Sequence, residues 1–303
     1  MSTTNVIQLP PNKKKAVKRL KPKEPFILKL ARFGFSTLGV LFPKRAARLA
    51  YKLFSTPQIR AKHKKSDVIL EKAKVFDFMY AGRILKGYEW GSGEQIVLLV
   101  HGWESRGTAL RSFVPGLVKK GFKVVAFDGP AHGNSYGKRT NLLHFGGAIR
   151  AIINQVGPVH SLIAHSFGGA STVFALSTLD TSIHLNKLVL IAVPARLEKI
   201  IEGFKKYIQL PQKAYNELVL ILEGIVNRRL SEVDVSQAND LIDVDKTLLI
   251  HDREDNVVPF SSSEIIADNW TNTSFLITEG YGHYNLVKND MVIHQVVEFI
   301  SEE

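Results

Sequence analysis

The chain has 303 residues, of which 45% are hydrophobic, so it is long enough for one large domain with an appendage. It contains no cysteine, which excludes disulfides and thiolate metal sites and fits a reducing compartment. The net charge of +12 is unevenly distributed. Residues 1–65 hold 17 Lys and Arg against one acid, whereas residues 66–303 hold 23 against 27. The basic character therefore belongs to the first fifth of the chain.

The first 54 residues contain three patterns. Residues 1–25 are rich in Pro and Lys, which predicts disorder. The apolar run over residues 33–42 is too short to span a bilayer and is followed by a poor cleavage site, so neither a membrane span nor a secretory signal is predicted. Residues 44–54 have a helical period that ends near Pro57. One face of this helix is apolar (Ala46, Leu49, Ala50, Leu53, Phe54) and the other is basic (Lys44, Arg45, Arg48, Lys52).

From residue 75 onward, strand patterns alternate with helical ones. Strands are predicted in "VFDFMYAG", "RILKGYEW", "EQIVLLVHG", "GFKVVAFDGP", "VHSLIAHS", "LNKLVLIAVP", "KTLLIHDRED" and "TSFLITEG". This alternation predicts an α/β fold with a mostly parallel sheet covered by helices on both faces. Helical periodicity alone over residues 195–244 predicts a small helical insertion. We therefore predict a basic extension with an amphipathic helix over 1–65 and a catalytic domain over 66–303.

Side chains suited to catalysis follow several of the predicted strands. In open parallel sheets, functional groups lie just beyond the carboxyl ends of the strands. Residues at such positions include His101, Gly102, Trp103, Asp128, Ser166, Asp252, Asp255 and His283. A serine, a carboxylate and a histidine thus occur in that order, each beyond a different strand. This order favours a nucleophilic serine assisted by a base and an orienting acid.

Four motifs together resemble those of the α/β-hydrolase superfamily over nearly all of residues 75–303. "HGW" resembles the HG turn after the third strand, and "DGPAHGNS" resembles the D-x-P-G-x-G-x-S segment. "AHSFGG" resembles the nucleophile elbow G-x-S-x-G. "DREDNVVP" followed by "GYGHYNL" resembles the acid and histidine loops of the family. The first glycine of the elbow is Ala164 here, another small residue.

The resemblance implies a role for each site residue. Ser166 is expected to be the nucleophile, His283 its base and Asp255 the acid, with Asp252 as the alternative acid. The N–H groups of Phe167 and Trp103 are expected to form the oxyanion hole. A lid role is expected for the insertion at 195–244.

Several other histidines are expected to be structural. His101 and His132 are predicted to bond neighbouring backbone, and His165 to pack within the elbow. Neither a metal-ligand spacing nor a G-x-G-x-x-G loop is present, so no cofactor or metal is expected.

A serine nucleophile forms an acyl-enzyme, which predicts hydrolysis of carboxylic esters or thioesters. The alternatives are a membrane-associated acyltransferase or lipase, and a catalytically silent member of the fold that serves in binding. A cytoplasmic location is expected. The basic N-terminal region predicts a solubilising tail, peripheral contact with an anionic membrane at the inner face or, last, nucleic-acid binding. Packing on the catalytic domain is the alternative role for its amphipathic helix.

Overall fold

A computed structural model describes residues 4–12, 26–63, 66–178 and 183–302. Contacts divide these residues into two compact units. The larger unit contains the described residues of Met1–Lys14, Pro57–Ala195 and Val235–Glu303, and the smaller those of Lys15–Thr56 and Arg196–Asp234. Each unit therefore joins segments that are distant in sequence, and the residues just after Thr56 belong with the larger unit.

The larger unit is organised around a sheet of nine strands. In chain order they are β1 (Asn5–Gln8), β2 (Lys74–Tyr80), β3 (Arg83–Trp90), β4 (Ile96–Val100), β5 (Lys123–Phe127), β6 (Val159–His165), β7 (His184–Ile191), β8 (Asp243–Asp252) and β9 (Thr273–Thr278). Their spatial order is β1-β9-β8-β7-β6-β4-β5-β3-β2. Only the pairings β2–β3 and β3–β5 are antiparallel within the described residues. The predicted α/β fold with a mostly parallel sheet is confirmed.

Helices connect these strands. In chain order they are α1 (Phe26–Leu41), α2 (Pro43–Phe54), α3 (Val68–Glu71), α4 (Val114–Lys119), α5 (Leu142–Val156), α6 (Phe167–Thr178), α7 (Leu197–Ile208), α8 (Gln212–Val226), α9 (Ser261–Asn269), α10 (Gly282–Asn285) and α11 (Asp290–Ser301). Of these, α1, α2, α7 and α8 form the smaller unit. A 3-10 helix, Gly107–Phe113, precedes α4.

The central strands are apolar on both faces because helices cover both. Every residue of β4 is buried. Val97 and Leu99 share a hydrophobic cluster with α4 and α11. Val100 points to the opposite face, where its side chain lies close to Gly168 of α6. Burial on both faces explains why these strands are continuous apolar runs rather than alternating ones.

The first described segment does not fit the disorder predicted for residues 1–25. Residues 5–8 form β1, which pairs in parallel with β9 from Asn5↔Ser274 to Gln8↔Ile277. Beyond the strand, the Asn12 N–H donates to the Glu279 carbonyl at 2.9 Å. The prediction was wrong here because the partner strand lies some 270 residues away in sequence, beyond the reach of a local pattern. Residues 13–25 lie outside the described part of the chain.

The smaller unit is a cluster of helices. Its buried core combines Ala46, Ala47 and Ala50 of α2 with residues of α7 and α8 that include Ile201, Ala214 and Leu218. Three small residues on α2 allow close helix packing. Leu49 was predicted on the apolar face of α2 but is exposed, whereas Ala47 takes a place in the core. Among the residues that the structure describes, no helix is both long and apolar enough to cross a membrane.

Candidate active site

Ser166 is the single residue between the end of β6 and the start of α6. Its φ is +55°, in the left-handed region that non-glycine residues seldom adopt. The Ser166 N–H donates to the Ile191 carbonyl at 2.9 Å, which ties the turn to the neighbouring strand β7. This conformation costs on the order of 1 kcal/mol and persists because the surrounding strands and helix fix it.

Small residues around Ser166 make the turn possible. A Cβ added at Gly168 would overlap the carbonyl oxygen of His101. One added at Gly102 would lie 3.1 Å from the Ser166 Cβ. Ala164 is fully buried within β6. The two glycines therefore allow the backbone after β4 and the backbone after β6 to approach each other closely, in addition to allowing a turn.

His283 lies within hydrogen-bond distance of Ser166. Its Nε2 is 3.0 Å from the Ser166 Oγ, and its Nδ1 is 2.7 Å from the Asp255 Oδ2. A carboxylate only accepts, so Nδ1 carries the proton and Nε2 is left to accept from the serine hydroxyl. The short helix α10 presents this histidine after two left-handed glycines, Gly280 and Gly282.

Asp255 is held as an ionised group. Its Oδ1 accepts from the N–H groups of Val257 and Val258 at 2.8 and 2.9 Å. Burial alone would raise its pKa, but hydrogen bonds from His251 and His283 outweigh burial and hold the pKa well below its usual range. His251 Nε2 lies 3.4 Å from Asp255 Oδ2. Sequence reasoning missed this second histidine, although its position four residues before Asp255 was visible.

The alternative acid, Asp252, has other partners. Its Oδ1 accepts from the Glu254 N–H at 3.0 Å. Its Oδ2 accepts from the Thr278 hydroxyl at 2.7 Å and from the Tyr281 N–H at 3.0 Å. These bonds join the loops after β8 and β9, so Asp252 fixes the loops that carry Asp255 and His283. Geometry thus brings Asp255, and not Asp252, to the imidazole.

The two residues predicted for the oxyanion hole lie side by side. Phe167 is the first residue of α6, so no carbonyl within the helix accepts from its N–H. The Trp103 ring packs edge-on against the Phe167 ring with centroids 5.1 Å apart. Helix N-termini favour negative charge, so this position suits a developing oxyanion.

Three more histidines take structural positions, as predicted. His101 Nε2 accepts from the Gly129 N–H at 2.9 Å, and His132 Nε2 accepts from the Glu104 N–H at 3.0 Å. His165 Nε2 donates to the carbonyl of His283 at 3.0 Å. Burial, together with the neighbouring His283, lowers the pKa of His165 to about 3, so it stays neutral at physiological pH. His165 therefore supports the backbone of His283.

A second carboxylate–histidine pair lies on a neighbouring loop and was missed. Asp128 accepts from His63 Nε2 at 2.9 Å and from the Tyr88 hydroxyl at 2.7 Å. Its oxygens also accept from the N–H groups of Gly107 and Asn134 at 2.6 and 2.8 Å. Asp128 thereby joins the loop after β5, the 3-10 helix and the segment that carries His63.

Arg60 fixes the same segment. Its guanidinium donates to carbonyl oxygens of the loop after Asp128, those of His132, Gly133, Ser135 and Gly137. The carboxylate of Glu104, the residue after Trp103, accepts from the N–H groups of Gln58 and Ile59 at 2.6 and 3.1 Å. Residues 58–63 therefore support both the loop that carries Trp103 and the loop after Asp128.

Comparison with known proteins identifies the family of the chain. The model of an alpha/beta hydrolase family matches residues 97–295, about two thirds of the chain and all three residues of the Ser–His–Asp arrangement. The chain belongs to the alpha/beta hydrolase family. No curated relative matches the sequence.

Solved structures of several family members share the fold. An esterase from Pyrococcus furiosus is 20% identical, with a TM-score of 0.61 over 81% of this chain and 96% of the other. An esterase from Exiguobacterium antarcticum is 19% identical, with a TM-score of 0.59 over 76% and 100%. A thioesterase domain from the curacin biosynthetic pathway is 17% identical, with a TM-score of 0.56 over 76% and 99%. At these identities the likeness shows the fold.

Proposed function

We propose that this protein is a serine hydrolase that cleaves a carboxylic ester or thioester through an acyl-enzyme. The observation that carries the proposal is the hydrogen-bonded chain from Ser166 Oγ to His283 Nε2 and from His283 Nδ1 to Asp255, at 3.0 and 2.7 Å. Each distance lies within the range for proton transfer between a nucleophile, its base and the orienting acid. Esterases and a thioesterase among proteins of the same fold support this reaction class.

Acylation begins when Ser166 Oγ attacks the substrate carbonyl carbon and its proton passes to His283 Nε2. The carbonyl electrons move to oxygen, where the N–H groups of Phe167 and Trp103 stabilise the oxyanion. The lowered pKa of Asp255 keeps it ionised, so it stabilises the imidazolium that forms. Collapse of the intermediate expels the alcohol or thiol, which takes the proton from His283.

Deacylation repeats these steps with water. His283 removes a proton from water as the water oxygen attacks the acyl carbon, and Ser166 Oγ leaves with that proton. An acceptor alcohol in place of water would give acyl transfer with the same groups. The intact chain from serine to carboxylate favours catalysis over a silent binding role.

Labelling with a fluorophosphonate tests the proposal. Wild-type protein should become labelled at Ser166, as mapped by mass spectrometry, and should hydrolyse p-nitrophenyl acetate. Labelling at another residue, or none in a folded protein, would refute the nucleophile. In the presence of an alcohol, hydrolysis yields free acid and acyl transfer yields a new ester. Measuring the amounts of these two products therefore separates the two reactions.

A further inference from the structure

Helix α1 is apolar on two opposite faces. On one face, Phe35 is buried in the core of the smaller unit, and Gly39 lies against Pro211 and Ala46. Leu30, Phe33, Val40 and Leu41 lie within one third of a turn of each other on the opposite face. A globular helix with one core-facing side is expected to be polar on the other, so this second apolar face needs its own explanation.

This second face is open to solvent. Leu30 is 57% exposed, Phe33 66%, Val40 55% and Leu41 70%. Phe42, which joins α1 to α2, is 50% exposed, and Leu49 of α2 is 57% exposed. Scattered exposed apolar residues are common, but four of them along one face of a helix, followed by an exposed phenylalanine, are typical of a surface that binds an apolar partner. We call these six residues the outward apolar face.

The charge around the outward apolar face has one sign. Between residues 26 and 56 there are six Lys and Arg and no acidic residue. On α2, Arg45, Arg48 and Lys52 are exposed beside Leu49. The Arg45 guanidinium lies 5.5 Å from the centre of the Phe42 ring, so a cation and an exposed aromatic ring lie together.

The rest of the same unit lacks this charge. Residues 196–234 hold seven Lys and Arg and six Asp and Glu, which is close to neutral. Positive charge is therefore concentrated on the two helices that carry the outward apolar face, and not on the helices that pack against them.

We propose that the outward apolar face and the cations of α2 bind an anionic lipid surface. Exposed Leu and Phe side chains enter the boundary between headgroups and acyl chains, while Lys and Arg remain at the level of the lipid phosphates. Each part alone gives weak attachment, and the two together give stable but reversible binding. This inference does not depend on the proposed hydrolase activity.

The chemistry favours lipid over other partners. A nucleic acid would use the cations but would leave the aliphatic side chains in water, because aliphatic groups make no specific contact with phosphate. A second copy of the chain would bury the apolar side chains but would bring two sets of cations together. An anionic lipid surface matches both the apolar groups and the charge.

Flotation of the full-length protein with vesicles tests the proposal. Vesicles of equal parts phosphatidylglycerol and phosphatidylcholine should bind the protein, and pure phosphatidylcholine should bind it at least tenfold less. Phe33→Ser with Leu41→Ser should weaken binding at least tenfold at any salt concentration. Arg45→Gln with Arg48→Gln should weaken it about thirtyfold at low salt and much less at high salt.

Matched controls come from the larger unit. Met79→Ser removes another exposed apolar side chain, and Lys119→Gln with Lys138→Gln removes two other exposed cations. These variants should bind as the wild type does, and every variant should keep its activity on a soluble ester. Phe33→Trp adds a direct reading, because the emission that it adds to the wild-type spectrum should be quenched by brominated lipid in anionic vesicles.

Three results would overturn the proposal. The first is equal binding of wild type and the Phe33/Leu41 variant, which would leave only adsorption of a polycation. The second is a Phe33→Trp variant whose added emission stays unquenched on bound vesicles. The third is a wild-type protein that does not bind vesicles and is a dimer in analytical ultracentrifugation, together with a Phe33/Leu41 variant that is a monomer. The outward apolar face would then bind a second copy of the chain. If Ser substitutions disturb folding, the Phe33→Trp reading still decides.

Discussion

The larger unit contains two hydrogen-bonded chains of side chains built from the same kinds of group. Each of them connects a carboxylate to an imidazole and the imidazole to a hydroxyl. In one, the Asp255 carboxylate is hydrogen-bonded to His283, and His283 is hydrogen-bonded to the Ser166 hydroxyl. In the other, the Asp128 carboxylate lies 2.9 Å from His63 Nε2, and His63 Nδ1 lies 3.1 Å from the Thr108 hydroxyl. Both carboxylates are buried, accept two backbone N–H groups and have a lowered pKa. Side-chain types and distances alone therefore do not distinguish the arrangement that we propose to be catalytic from the other one.

The hydroxyl at the end of each chain makes the difference. Ser166 lies in a left-handed turn beside the N-terminus of α6. Thr108 is fully buried in the 3-10 helix, where its hydroxyl also accepts from the Arg106 Nε at 3.2 Å. Ser166 is half-buried, whereas Thr108 is fully buried. We therefore expect a substrate carbonyl to reach the first hydroxyl and not the second, and we interpret the Asp128 arrangement as a structural one.

The first prediction separates the two hydroxyls and has the largest effect. Ser166→Ala should lower kcat for a soluble ester by roughly 10⁴ to 10⁶ and abolish fluorophosphonate labelling, because the nucleophile is gone. Thr108→Val should leave kcat within about tenfold while it lowers stability by about 1–3 kcal/mol, since it leaves polar partners unpaired. Steady-state kinetics and urea unfolding measure both. Similar losses of kcat in the two variants would refute the distinction.

The second prediction concerns the acid. Asp255→Asn should lower kcat by roughly 10⁴, because an amide no longer holds the His283 tautomer with Nδ1 protonated. Asp252→Asn should act through the loops and change kcat far less. His283→Ala should resemble the serine variant. If Asp252→Asn proved the more damaging to kcat in a folded protein, the acid would have to be reassigned.

The sequence predicted the members of the Ser166–His283–Asp255 arrangement more completely than those of the Asp128–His63–Thr108 arrangement. Each member of the Ser166 chain follows a strand at a position that a parallel sheet directs to one edge, and strand positions such as Arg83–Trp90 match the predicted "RILKGYEW". His63 and Arg60 follow no strand. They lie in a short irregular segment whose hydrogen-bond partners are 25 to 77 residues away in sequence, so no periodicity or spacing marks them.

The sequence predicted neither strand β1 nor helix α1, and the two omissions have related reasons. Strand β1 has only four residues, and its register depends on an edge of β9 that the local sequence does not describe. The apolar run within α1 contains glycine and β-branched residues and has only Ser36 and Thr37 as polar residues, so its periodicity gave no clear helix signal. Both elements acquire their structure from tertiary partners.

The third prediction tests the Asp128 arrangement. Asp128→Asn should lower the free energy of unfolding by about 3 kcal/mol, because it removes the charge of a buried carboxylate and so weakens the four hydrogen bonds that the carboxylate accepts. A measurable kcat should remain in the folded fraction. Urea unfolding with active-site titration distinguishes this from loss of chemistry. A stable Asp128→Asn protein that had lost labelling of Ser166 would instead place Asp128 in the mechanism.

The last prediction uses the neutral histidine that supports the Ser166–His283–Asp255 arrangement. An unfolded histidine titrates near 6.5, whereas burial lowers the pKa of His165 to about 3 in the folded protein. Between these values the unfolded state binds more protons, so stability falls as pH decreases. His165 should therefore contribute about 2 kcal/mol to the stability lost between pH 7 and pH 5. Burial gives His132 a pKa of about 3 as well and predicts a similar loss.

Urea unfolding of His165→Gln at the two pH values measures this effect. The difference in unfolding free energy between pH 7 and pH 5 should shrink by about 2 kcal/mol relative to wild type, because glutamine does not titrate. His184 is a matched control, since it is exposed and hydrogen bonding to Asp243 raises its pKa. A raised pKa stabilises the folded state at low pH and loses that contribution as pH rises, so His184→Gln should not shrink the acid loss. An unchanged pH difference in His165→Gln would mean that His165 takes up its proton over the same pH range in the folded and the unfolded protein, and the lowered pKa would then be refuted.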